Sequence, residues 1–67
     1  MLRVEVERED DGRWIAEVVE LPGVLAYGQM RDEAIERAQA LALRALADRL
    51  ENGKIVPQVD DIFAVQP

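Results

Sequence analysis

Leu2-Arg3-Val4-Glu5-Val6-Glu7 alternates apolar and charged side chains without a break, the period of a strand with one buried face. Glu9-Asp10-Asp11-Gly12 interrupts the pattern with turn residues. Among them Gly12 takes a left-handed backbone at no steric cost. Alternation resumes with Trp14, Ala16 and Val18 on one face and Ile15, Glu17 and Val19 on the other. A two-residue turn at Asp11-Gly12 sets Val6 opposite Glu17 and mixes core with surface. A three-residue loop, Asp10-Asp11-Gly12, sets Val6 opposite Ala16, Val4 opposite Val18 and Arg8 beside Trp14. The pattern selects this second register, because a slip of one residue moves every side chain to the wrong face.

The same register sets Glu5 directly opposite Glu17 on the outward face, an arrangement that destabilises a sheet. Arg3, a diagonal neighbour of Glu17, is the side chain expected to relieve it. Leu21-Pro22-Gly23 then reads as a corner, since Pro22 cannot donate to a ladder and Gly23 permits an unusual turn. A short third strand follows, with Leu25 and Tyr27 joining Ile15 and Val19 outside.

From Arg31 to Glu51 the period changes to that of a helix. Ala34, Ile35, Ala38, Leu41, Ala42, Ala45, Leu46 and Leu50 form one stripe, with Glu33, Arg37, Arg44 and Asp48 opposite it. Small alanines let a helix lie close on a sheet. Asp32 and Glu33 suit the positive end of the helix dipole, and Gly53 suits a left-handed C-terminal cap. Arg49 falls on the stripe in the last turn and is read as snorkelling outward. The tail Asp60-Asp61-Ile62-Phe63-Ala64-Val65 is β-prone, and two uses stay open: a fourth strand of the same sheet, or a strand donated to a neighbouring chain. The expected fold is therefore one α+β domain over residues 1–67. Its order is β-β-β-α-β, with an antiparallel sheet of three to four strands and one long helix on one face.

Composition narrows the function. A chain of 67 residues buries only about 60% of its unfolded surface. It has no cysteine or histidine to supply a staple, so association, as a dimer or tetramer, is the expected remedy. Fourteen acidic against eight basic side chains give a net charge of −6, which repels phosphate and favours a basic protein as partner. No run reaches the ~20 apolar residues of a membrane span, and the N-terminus is not a signal peptide, so cytoplasm is the expected location. Serine and threonine are absent along with cysteine, which removes hydroxyl and thiol nucleophiles. No glycine-rich phosphate loop is present and no cofactor is expected.

Asp11-Gly12 with Trp14 and Ala16, the corner Leu21-Pro22-Gly23, Gly28, the helix start Asp32-Glu33-Ala34, and Gly53 followed by Pro57 occur in an order and spacing that resemble the HicB-type antitoxin domain. The resemblance runs from Asp11 to Pro57. It implies a partial ribonuclease H-like fold, and a protein that neutralises a small basic toxin, HicA, which cleaves messenger RNA. On that reading the antitoxin blocks its partner by steric cover and electrostatic mimicry and is not an enzyme. Gly12, Trp14, Ala16, Pro22, Gly23, Gly28, Glu33, Gly53 and Pro57 are then architectural. The candidate contact residues are Glu5, Glu7 and Glu17 with Ile15, Val19 and Tyr27. Met30 stands where the family places a Ser or Thr N-cap, which predicts a frayed helix start unless Asp32 caps instead. Many such antitoxins carry a separate DNA-binding segment; no basic helix follows Pro57 here, and direct DNA binding is not expected. Two other readings remain. One is a self-associating domain with an unrelated or lost partner. The other is a nuclease using metal held by clustered carboxylates, with Glu5 and Glu17 as the nearest pair.

Overall fold

The computed structural model describes residues 1–67. It is an α+β fold. Strands β1 (Val4–Arg8), β2 (Trp14–Val18) and β3 (Leu25–Gly28) form an antiparallel sheet in the order β1-β2-β3, followed by helix α1 (Arg31–Glu51) and a 3-10 helix (Pro57–Asp61).

The first hairpin takes the three-residue loop. Val4 faces Val18, Glu5 faces Glu17, Val6 faces Ala16, Glu7 faces Ile15 and Arg8 faces Trp14. The Gly12 N–H donates to the Glu9 carbonyl (2.9 Å), and the Glu9 N–H donates to that of Arg13 (2.7 Å). Gly12 itself has φ +89°, so a turn followed by one left-handed residue closes the loop and preserves the alternation. At the corner, the Val24 N–H donates to the Leu21 carbonyl (3.0 Å), with Pro22 and Gly23 at the centre and Gly23 at φ +86°. This is the type II turn that a Pro-Gly pair favours. It drives Leu21 fully into the core.

Helix α1 lies on the inner face, mainly over β2 and β3 and less over β1. The core comprises Ala16, Val18, Leu21, Val24, Ala34, Ala38, Ala42, Leu46 and Val56. Four of these nine come from one helical stripe, and three of the four are alanine. Their small side chains let the helix sit low on the sheet. Ile35, Leu41 and Ala45 flank the stripe half-buried, whereas Leu50 lies too far along the helix to reach the sheet and is exposed. Arg49 is half-buried beside it, in no ion pair. The helix ends as Gly53 predicts. With φ +71° at Gly53, its N–H donates to the Leu50 carbonyl and the Lys54 N–H to that of Arg49, both at 3.0 Å, which satisfies two last-turn acceptors.

Three expectations need correction. The tail forms no fourth strand: Pro57–Asp61 winds into a 3-10 helix, and residues 62–67 pair with nothing in the sheet. Pro57 starts that turn because its fixed φ is pre-set for a first helical position, and Val56 and Val59 anchor it on the core. The N-cap of α1 is Met30, with no side-chain hydrogen bond, and Asp32 lies inside the first turn and does not cap. Glu33 reaches back one residue further than in a capping box, its Oε1 accepting the Gln29 N–H at 2.8 Å. Finally, Arg3 does not relieve Glu17. Its backbone N–H and its Nε donate to the two carboxylate oxygens of Glu20, at 2.7 and 2.6 Å. A paired fork beyond the strand end outcompetes a diagonal contact across it.

Candidate partner-binding face

With α1 covering the inner face, the outer face of the sheet is left to solvent. Alternation along β1 and β2 sends Glu5, Glu7, Ile15 and Glu17 there, and along β3 it sends Leu25 and Tyr27. Val19, one residue past β2, keeps the same side because its N–H donates to the Arg3 carbonyl (3.0 Å). Glu5, Glu7 and Glu17 are exposed, Ile15, Val19 and Leu25 are half-buried, and Tyr27 is 39% exposed. All six candidate contact residues thus share one surface. Glu5, Glu7, Ile15 and Glu17, with Val6, line a shallow depression over β1 and β2.

None of Glu5, Glu7 and Glu17 belongs to an ion pair; the four in the molecule are Met1–Asp61, Arg3–Glu20, Arg13–Asp11 and Arg37–Glu33. Two carboxylates facing each other across a strand pair, neither of them in an ion pair, repel each other. Sequence reasoning missed the cation at the other end of the face. The Arg13 guanidinium sits over the Tyr27 ring, 4.6 Å from its centroid. Its Nε donates to Asp11 Oδ2 at 2.8 Å, and its backbone N–H to Oδ1 at 3.1 Å. Those bonds hold the Asp11 carboxyl below the usual aspartate value, the backbone N–H being the larger cause. Tyr27 therefore lies under a positive charge, and the acidic part of the face is the half carried by β1 and β2. The signal for this was present, since Asp11 and Arg13 two residues apart in a turn is a common Asx arrangement.

The edges of the sheet differ. The Val18 N–H donates to the Val24 carbonyl (2.9 Å), so by antiparallel alternation the backbone groups of Tyr27 point away from β2. Arg37 Nη1 donates to the Tyr27 carbonyl there at 3.0 Å, closing part of that edge. No side chain does the same for β1.

The chemical possibilities are correspondingly few. No group of three or more carboxylates converges where it could hold a metal ion; Glu5 and Glu17 remain a pair, and Asp10 and Asp11 lie at the hairpin tip. No helix is long and apolar enough to cross a membrane. Compared with known proteins, the chain matches no family model, no curated protein and no solved structure.

Proposed function

We propose that this chain is an antitoxin-like protein-binding module, one that neutralises a small basic mRNA-cleaving toxin of the HicA type by covering it. The observation that carries the reading is the outer face of β1 and β2. Three carboxylates without cationic partners surround half-buried Ile15, Val19 and Leu25. An RNA-binding surface on such a toxin presents Arg and Lys to phosphates. Carboxylates on this face occupy those cations, while the apolar side chains exclude water between them. The resemblance of the turn and cap residues to the HicB-type domain adds the identity of the partner class. The protein's role is steric and electrostatic, with no catalytic step.

Co-expression with the product of a neighbouring gene for a small basic protein, followed by affinity pull-down, tests this. A complex that forms with the wild type and weakens at least tenfold when Glu7 and Glu17 both become Lys supports the reading. Both residues are exposed and free of ion pairs, so the fold tolerates the change. If no basic protein co-purifies and the chain gives cells no relief from toxicity, the proposal fails.

A further inference from the structure

β1 is an open edge with a definite polarity. The Val19 N–H bonds the Arg3 carbonyl and the Glu9 N–H bonds that of Arg13, so the odd-numbered residues of β1 face β2. The N–H and C=O groups of Val4, Val6 and Arg8 therefore point outward. No side chain bonds them, and the backbone of Leu2, before the strand, bonds nothing either. On the helix side of this edge lies an apolar notch, formed because α1 sits toward β3. Leu2, Val4, Val18, Ala42 and Leu43 line it, and Leu43 is 60% exposed. An edge of free backbone groups beside uncovered apolar side chains is a template for another strand.

We infer that the occupant is a second copy of this chain, paired antiparallel through β1 with Val4 opposite Val4. Register decides it. Slips of one residue turn the Leu2-Val4-Val6 face onto the acidic face and are excluded. Among the remaining registers, Val6 opposite Val6 sets Glu5 against Glu7, Val4 opposite Val6 sets Arg3 against Glu7 but Glu5 against Glu5 at its centre, and Val4 opposite Leu2 sets Arg3 against Arg3. Only Val4 opposite Val4 places Arg3 against the second copy's Glu5, and Glu5 against its Arg3, so that both cross-strand pairs attract. In that register Leu2, Val4 and Val6 supply outward backbone groups from both copies. Their side chains meet on the helix side, next to the notch. The Arg3 guanidinium holds Glu20 through Nε, which leaves its terminal nitrogens for Glu5. The exposed tail Ile62–Val65 is apolar too, but it has no charged side chain to meet Arg3 or Glu5. The inference does not rest on what the acidic face binds, although Glu5 belongs to both surfaces and a dimer would leave Glu7 and Glu17 as that face's unpaired carboxylates.

An edge contact of this size belongs to the weak class, with Kd of roughly 1 μM to 1 mM. Sedimentation equilibrium across that range is expected to show a monomer–dimer equilibrium. Over the same range the Val4 and Val6 amides, free in the monomer, gain protection from hydrogen exchange as concentration rises. Glu5→Arg, at an exposed site that forms no ion pair, sets Arg against Arg and is expected to raise Kd about tenfold or more. Mixing Glu5→Arg with Arg3→Glu restores both attractions and recovers a heterodimer. A strict monomer throughout overturns the inference. So does a dimer whose Val4 and Val6 amides stay unprotected, or one that Glu5→Arg leaves intact. Should Arg3→Glu unfold through Glu20, the amide measurement on the wild type still decides.

Discussion

At Gly28 the sheet and the helix come closer than any side chain allows. A Cβ there would lie 2.6 Å from the Ala34 backbone nitrogen and 3.1 Å from its Cα, both fixed by the first turn of α1. Gly28 is needed for space and not for an unusual φ. Gly28→Ala must push the helix start off the sheet, an overpacking cost of about 1–3 kcal/mol that denaturant titration will read as a lower midpoint. Two residues on, Met30 is an N-cap without a cap. Its extended backbone, φ −117° and ψ 151°, suits a capping residue, and its side chain is 68% exposed. Met30→Thr therefore loses little packing and gains a hydroxyl for an orphan amide. The expected gain is about 1 kcal/mol, or roughly 4–8 °C in melting temperature for a domain of this size. An unchanged or lower melting temperature would show that Met30 serves another contact.

Among the elements, the join between the start of β1 and the turn after β2 carries the pH dependence. Arg3 donates from backbone and side chain to Glu20, and those hydrogen bonds hold the Glu20 carboxyl below the ordinary 4.5. A depressed folded value means that the stabilisation is complete above about the unfolded value. It is lost as pH falls through the folded one. Asp11, lowered by Arg13, adds to the same acid limb. Melting temperature is thus expected to fall below about pH 4.5, and Glu20→Gln should flatten that limb while lowering stability at neutral pH. An unchanged acid limb in the variant would place the sensitivity elsewhere. The strands and α1 were legible from periodicity because each buries one face, down to the register that Val4, Val6, Ala16 and Val18 require. The tail was not. The apolar run at residues 62–65 suits a strand, but the chain before it winds into the 3-10 helix Pro57–Asp61, whose Val59 packs on the core beside Val56.

For the molecule as a whole, the decisive quantity is charge that is not paired off. The chain carries a net −6 on 67 residues and sets Glu5 against Glu17, while the four ion pairs are exposed or partly so and each contributes little. Screening should therefore help more than it harms. Raising sodium chloride from about 0.01 M to about 1 M shortens the screening length from ~30 to ~3 Å, and the melting temperature is expected to rise. Glu17→Gln should give a higher melting temperature at low salt and a smaller response. A wild type that loses stability with salt would mean that the ion pairs outweigh the repulsion. The candidate face was readable at this scale because alternation alone sorts residues to one side. What escaped was the pairing among them, since Arg3 and Arg13 each had several carboxylates within sequence reach.

The amino-acid order by itself determined the β-β-β-α part of the element sequence, the hairpin register, the Pro-Gly corner and the Gly53 cap. Each follows from local backbone preference and from keeping one face apolar. Tertiary structure alone decided where α1 lies across the sheet, and with it the closeness at Gly28, the notch beside β1 and the bare edge that β1 presents. It also decided that Arg3 serves Glu20 and Arg13 covers Tyr27, leaving Glu5 and Glu17 outside any ion pair. Those outcomes depend on competition between partners distant in sequence, and distance in space is what periodicity does not encode.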